Sequence, residues 1–177
     1  MKKIRSWGIY SSSVSEVYTF DNTQNLRKLI QENKNIISHG NGGSYGDCAL
    51  SNKVIKINNK RLSFELDERS GYLRVDSGVL LSEIISFIVP KGWFLMVAPG
   101  TKFISIGGAI ASDIHGKNHH IEGCFSESII SLKIMLSDGS IHECSKSRNR
   151  ELFRATCGGM GLTGVILEAK IKLKKIE

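Results

Sequence analysis

Apolar residues follow two rhythms along this chain, and the switches between them outline its elements. Glu16 to Phe20 and Ile36 to His39 read as short strands, while Leu26, Leu29 and Ile30 between them share one helical face. Asp21, Asn22 and Thr23 stand where that helix needs an N-cap, and its pattern ends near Asn33 to Asn35. Val54, Ile55 and Ile57 mark another strand, and Phe64 to Asp67 with Tyr72 to Asp76 predict a hairpin around Arg69, Ser70 and Gly71. A second helix is expected over Ser82 to Val89, with Leu81, Ile84, Ile85 and Ile88 on one stripe and Pro90 closing it. Ile129 to Leu136 and Ser140 to Cys144 form a second hairpin across Asp138 and Gly139. Glu151 to Thr156 reads as a short helix before a last strand. Strands and helices mix without a regular βαβ alternation, so the predicted class is α+β.

Three stretches escape both rhythms because glycine interrupts them. The chain has 177 residues and 18 glycines, many of them clustered at 40–46, 100–116 and 158–164. The first loop, HGNGGSYGD, offers successive amides with little side chain in the way, and Ser44 adds a hydroxyl. Amides curled around a concavity bind phosphate oxygens. The loop matches neither the P-loop nor the dinucleotide fingerprint, and taken alone it reads equally as a plain turn. The second stretch is PGTKFISIGGAIASDIHGKNHH, 99–120. Pro99, Gly100 and Thr101 fix a turn, and Gly107, Gly108 and Ala109 open a short helix through Ser112 whose first amides are expected to be unpaired. Asp113 follows as a hydrogen-bonding strut. The third loop, Gly158 to Gly164, is again rich in backbone. Three such loops in one small domain argue for a large ligand touching each of them, and a dinucleotide fits better than a single phosphate.

Composition removes several alternatives. With 24 Lys and Arg against 17 Asp and Glu the net charge is +7, but the cations are dispersed. Lys170, Lys172, Lys174 and Lys175 alternate with Leu167, Ala169, Ile171 and Leu173, which is the wet face of a terminal strand rather than a nucleic-acid patch. The N-terminal MKKIRSWGIYSSS lacks the apolar run of a signal peptide, and no stretch is long enough to span a membrane. Cys48, Cys124, Cys144 and Cys157 show no CxxC spacing, so they read as reduced thiols of a cytoplasmic protein. His115, His119, His120 and Cys124 match no standard zinc spacing, and no metal is expected.

GNGGSYGD, the 99–120 segment and ELFRATCGGMGLTGVI at 151–166 together resemble the FAD-binding domain of the vanillyl-alcohol-oxidase, or PCMH-type, flavoproteins. Within that superfamily HGKNHH is similar to oxidoreductases of the decaprenylphosphoryl-β-D-ribose 2'-oxidase group. The resemblance covers nearly the whole chain. It implies one FAD-binding domain over 1–177, with a pyrophosphate-binding subdomain to about 96 and a second subdomain from about 97. His39, Gly40, Asn41, Gly42, Gly43, Ser44, Tyr45, Gly46 and Asp47 would wrap the FAD pyrophosphate. Gly100, Ser105, Ile106, Gly107 and Gly108 would lie against the flavin and ribityl portion, continued by Ser112, Asp113, Ile114 and His115, and Ile166 would meet the adenine end. His115 and Lys117 are the candidate catalytic residues, with the Lys117 cation near the ring or on a substrate phosphate.

The implied reaction is oxidation of a sugar or other alcohol hydroxyl, the substrate being a small molecule such as a phosphorylated or lipid-linked sugar. Two departures bear on it. Gly43 stands where relatives of that group carry Arg and where covalent flavoproteins carry His, so FAD is expected to be non-covalent. The family's substrate (cap) domain has no counterpart in these residues, so either a longer chain or a cap-domain partner chain is expected to supply it, and an exposed flavin face implies self-association or a partner covering it. The alternative is a non-catalytic flavin-binding module.

Overall fold

The computed structural model describes residues 1–57 and 63–176. Its first sheet contains β1 (Lys2–Arg5), β2 (Ser12–Phe20), β3 (Ile37–Ser38) and β4 (Lys53–Ile57) in the order β1-β2-β4-β3. The β1–β2 pair is antiparallel, whereas β4 runs parallel to both β2 and β3. Helix α1 (Thr23–Glu32) makes the crossover between them. It starts where sequence places it, because the Asn22 side chain accepts the Asn25 amide at 2.9 Å. Leu26 is fully buried and joins Phe20 and Ile55 in a small core that Met135 and Val165 complete from the second sheet.

That second sheet has the order β5-β6-β10-β8-β9 and is antiparallel throughout. Its strands are β5 (Phe64–Asp67), β6 (Tyr72–Asp76), β8 (Ile129–Met135), β9 (Ile141–Cys144) and the eleven-residue β10 (Val165–Lys175), while β7 (Trp93–Leu95) pairs with the far end of β10. In β10, Ala169, Ile171 and Leu173 point into the core and the lysines point out, with Lys170 lying 4.7 Å from the Tyr72 ring centre. Helices α2 (Leu81–Ile88) and α3 (Ile106–Ala111) cover the core through Leu81, Ile84, Ile88, Ile106 and Ile110. Two short helices, α4 (His119–Glu122) and α5 (Arg150–Thr156), lie beyond them.

The fold is α+β, as the patterning predicts. Three elements escape it: β1, β7 and α4 have only three or four residues, too few to reveal a period, and unlike β5 and β9 they carry no hairpin-turn signal in the sequence to mark them. Pro90 does not end the helix sharply, since a tight helical turn over Val89–Lys91 follows before Gly92. The last strand of the first sheet along the chain is β4, and β5 already belongs to the second. The reason is pairing: β6 is hydrogen-bonded along β10, and α2 buries its stripe in the same core.

Candidate functional site

The chain leaves β3 at His39, whose amide still donates to the Ile55 carbonyl at 2.8 Å. The ring turns inward. Its Nδ1 lies 2.8 Å from the Ala49 carbonyl and donates to it, closing the base of the 39–47 loop. Burial holds the imidazole pKa below its ordinary value, the Ala49 bond opposes that shift, and nearby Lys56 adds to it. His39 therefore organises the loop and does not reach out of it.

Beyond His39, no amide from Gly40 to Gly46 finds an acceptor among the described residues. The loop is held by its other groups. The Ser44 carbonyl accepts the Trp7 amide at 2.8 Å, the Asn41 side chain donates to the Phe103 carbonyl at 2.8 Å, and Ser44 Oγ meets Cys48 Sγ at 3.1 Å. Glycine is required where the loop presses on the next segment. A Cβ at Gly40 would stand 2.5 Å from Ser105 Oγ, and one at Gly43 would stand 2.8 Å from Ile104 Cγ2. Tyr45 is exposed on the outer flank.

The second glycine stretch differs from its expected form. Its first amides are paired: Ile106 donates to Val79 at 2.9 Å, Gly107 to Ser77 at 2.7 Å and Gly108 to Ser105 Oγ at 3.2 Å. The cause is a bridge between Leu80 and Ser105, which lays 77–81 antiparallel to 104–107 and uses those donors. The side chains of Ile106 and Ile166 are buried in the core, so only their backbone can face a ligand, and the Ile166 carbonyl already accepts from Ser77 Oγ. Ser105 is buried as the α3 cap.

Asp113 is a strut, as its setting suggests. Its carboxylate accepts the Ser126 amide at 2.8 Å and the Ser126 hydroxyl at 3.0 Å. Ile114 exchanges backbone bonds with Ala109 and Phe125. Ser112, His115 and Lys117 are exposed beyond it, and the His115 and His119 rings sit edge to face at 6.0 Å. Lys117 and Gly100 come together on a groove of about 360 Å³, walled by Phe94, Met96 and Pro99 with Lys174 at its side.

The third loop turns back onto α3. Gly158 donates to Ile110 at 3.0 Å and Met160 to Ala111 at 2.8 Å, so these amides cap a helix and are not offered to a ligand. Burial pushes the Cys157 thiol beside this loop up to about 12, and the Asp113 carboxylate adds to the shift. Sequence reasoning overlooked the groups that hold the first loop, the Trp7 amide and the Phe103 carbonyl. Both act through backbone, which leaves no residue-type signal.

The sequence profile described as "FAD binding domain" matches residues 16–145. The chain belongs to the PCMH-type FAD binding domain family. It is 32% identical to a decaprenylphosphoryl-beta-D-ribose oxidase of Mycolicibacterium smegmatis, over 99% of this chain and 40% of that protein. It is also 26% identical to an L-gulonolactone oxidase of Scyliorhinus torazame, over 96% of this chain and 40% of the relative. A human Delta(24)-sterol reductase is 24% identical over 96% of this chain and 35% of its own length. The chain thus spans 35–40% of these curated relatives. The residues present fit FAD: the 40–46 run supplies amides with no acceptor among the described residues, and glycine at 40 and 43 lets that run lie close on Ser105 and Ile104.

Proposed function

We propose that this FAD binding domain forms the cofactor-holding part of an oxidoreductase that oxidises a hydroxyl of a sugar or another alcohol. The observation that carries the reading is the run of amides from Gly40 to Gly46 with no acceptor among the described residues. A pyrophosphate supplies such acceptors together with the negative charge that a curled run of N–H groups favours. The names of the ribose and gulonolactone oxidases support the substrate class.

Gly40 to Asp47 would wrap the pyrophosphate, with His39 holding the base of the loop. Gly100 and the backbone of Ser105 to Gly108 would border the flavin and ribityl portion, continued by Ser112, Asp113, Ile114 and His115, while Ile166 offers only backbone toward the adenine end. When bound, FAD supplies a hydride acceptor at its N5 for the carbinol C–H. The exposed His115 imidazole would hydrogen-bond the reacting hydroxyl, and the Lys117 ammonium would hold an anionic group of the substrate in the adjoining groove. Asp113 is committed to Ser126 and keeps this wall in place.

Attachment at Gly43 is non-covalent, because glycine offers no side-chain nucleophile. The purified protein, incubated with FAD and desalted, should turn yellow and release intact FAD on denaturation. A protein that takes up no FAD overturns the reading; flavin that stays with the denatured chain overturns the non-covalent part.

A further inference from the structure

The turn that joins β1 to β2 presents its largest apolar side chains to solvent. Trp7 is 57% exposed, Ile9 65% and Tyr10 99%, and Tyr45 on the neighbouring glycine loop is 87% exposed. These residues share one surface. The Trp7 amide donates to the Ser44 carbonyl at 2.8 Å, and a Cβ at Gly8 would stand 3.6 Å from the Tyr45 carbonyl oxygen. Phe103, also exposed, extends it where the Asn41 side chain donates to its carbonyl.

The tip is held in shape. Ser6 donates to the Ser11 carbonyl at 3.3 Å and Ile9 to the Ser6 carbonyl at 3.1 Å. Ile9 has φ 62, a conformation β-branched residues avoid and keep only where the surroundings enforce it. The charge around this apolar tip has one dominant sign. Segments 2–10, 40–47 and 101–104 carry Lys2, Lys3, Arg5 and Lys102 against the single acid Asp47. Lys3, Arg5 and Lys102 are exposed, and none lies within 4 Å of a carboxylate among the described residues. Lys102 rests 5.8 Å from the Phe103 ring centre.

We propose that this surface docks the protein on an anionic lipid bilayer, with Trp7, Tyr10 and Tyr45 at headgroup depth and Lys3, Arg5 and Lys102 toward the lipid phosphates. Tryptophan and tyrosine favour that layer because one end of each ring system is apolar and the other hydrogen-bonds. Basic residues near an anionic surface each strengthen binding about fivefold. Charge also decides between a bilayer and a second copy of the same surface, since the copy would set these cations against their own kind. The proposal does not rest on the FAD reading: it shares Tyr45 with the loop assigned to the pyrophosphate, while Trp7, Tyr10, Lys3, Arg5 and Lys102 lie outside that loop.

The test is co-sedimentation of the full chain with vesicles of phosphatidylcholine alone and of phosphatidylcholine containing about one-third phosphatidylserine. Binding to the anionic vesicles should be at least about tenfold stronger and should weaken as salt is raised. Tryptophan emission should shift to the blue on binding, and this shift should vanish in Trp7→Phe, which leaves only Trp93. The pair Lys3→Gln and Arg5→Gln should weaken binding about twenty-fivefold, with circular dichroism unchanged. Tyr10→Ser, at a wholly exposed position, provides a second variant whose fold is not at risk and should also weaken binding. Equal binding to both vesicles, or no binding, overturns the proposal. So does a dimer that Trp7→Ser converts to monomer without any vesicle binding, since the occupant would then be a second copy.

Discussion

The glycine loop at 39–47 and the glycine-rich stretches at 105–112 and 158–164 have similar compositions and opposite uses. In the first, seven successive residues leave their amides without an acceptor among the described residues, and side chains and carbonyls do the holding. In the other two, amides are bonded to Val79, Ser77, Ser105, Ile110 and Ala111, and Gly107, Gly159 and Gly164 let backbone lie close on backbone. Glycine content alone therefore does not distinguish a ligand cradle from a packing seam. Where the donors go does distinguish them.

The largest expected effect lies in the seam. At Gly164 φ is +151, and a Cβ would collide with the Met135 carbonyl oxygen just as β10 begins. Both the backbone conformation and the clash oppose any other residue, so Gly164→Ala should cost about 3 kcal/mol in urea unfolding. A loss below about 1 kcal/mol would mean that the seam has slack, and the contrast with the first loop would lose half its basis.

In the cradle the expected effect falls on the ligand more than on stability. Gly40→Ala would put a Cβ 2.5 Å from Ser105 Oγ and lift the loop from the segment beneath it. FAD binding, followed by quenching of flavin fluorescence, should weaken about tenfold, or about 1.4 kcal/mol. Gly46→Ala sharpens the comparison within one loop. No protein atom outside its chain neighbours lies within 4 Å of its Cβ position, so that variant should leave the loop in place and lose less FAD affinity than Gly40→Ala. Equal losses at both positions would place the cost in backbone freedom and remove the argument from close approach.

What sequence revealed and concealed follows the same division. The N-cap at Asn22, the hairpin at Phe64–Asp67 and Tyr72–Asp76, and the alternation along β10 were legible because side-chain type determines each of them. The first loop was legible as a run of open amides because its glycines leave little side chain in the way, and among the described residues those amides have no acceptor. The second and third loops were misread as equally open. Their amides are taken by carbonyls of Ser77 and Val79, or of Ile110 and Ala111, and backbone acceptors distant in sequence leave no mark in residue identity. Ile106 and Ile166 illustrate this: the resemblance puts them beside the cofactor, while their side chains serve the core.

His39 sits at the base of the open loop, and its titration gives the smallest of these effects. Burial holds its folded pKa below the ordinary value of 6.5, and its Nδ1–H bond to Ala49 ties the neutral ring to the loop. As pH falls through 6.5 the unfolded chain takes up a proton that the folded chain does not, so the unfolded state gains. This contribution to stability is full above that pH and declines below it. Between about pH 7.5 and about 5.5 the loss is at most about 1.4 kcal/mol, the limit for a group never protonated in the folded protein. The urea midpoint should fall over that range in the wild type and fall less in His39→Asn, which has no titrating ring. The amides of the 40–46 run carry no charge and His39 does not reach past them, so the His39 contribution to FAD binding should track the folded fraction. A drop in affinity without unfolding that His39→Asn abolishes would place a charged His39 in contact with the ligand and would end its assignment as a purely structural post.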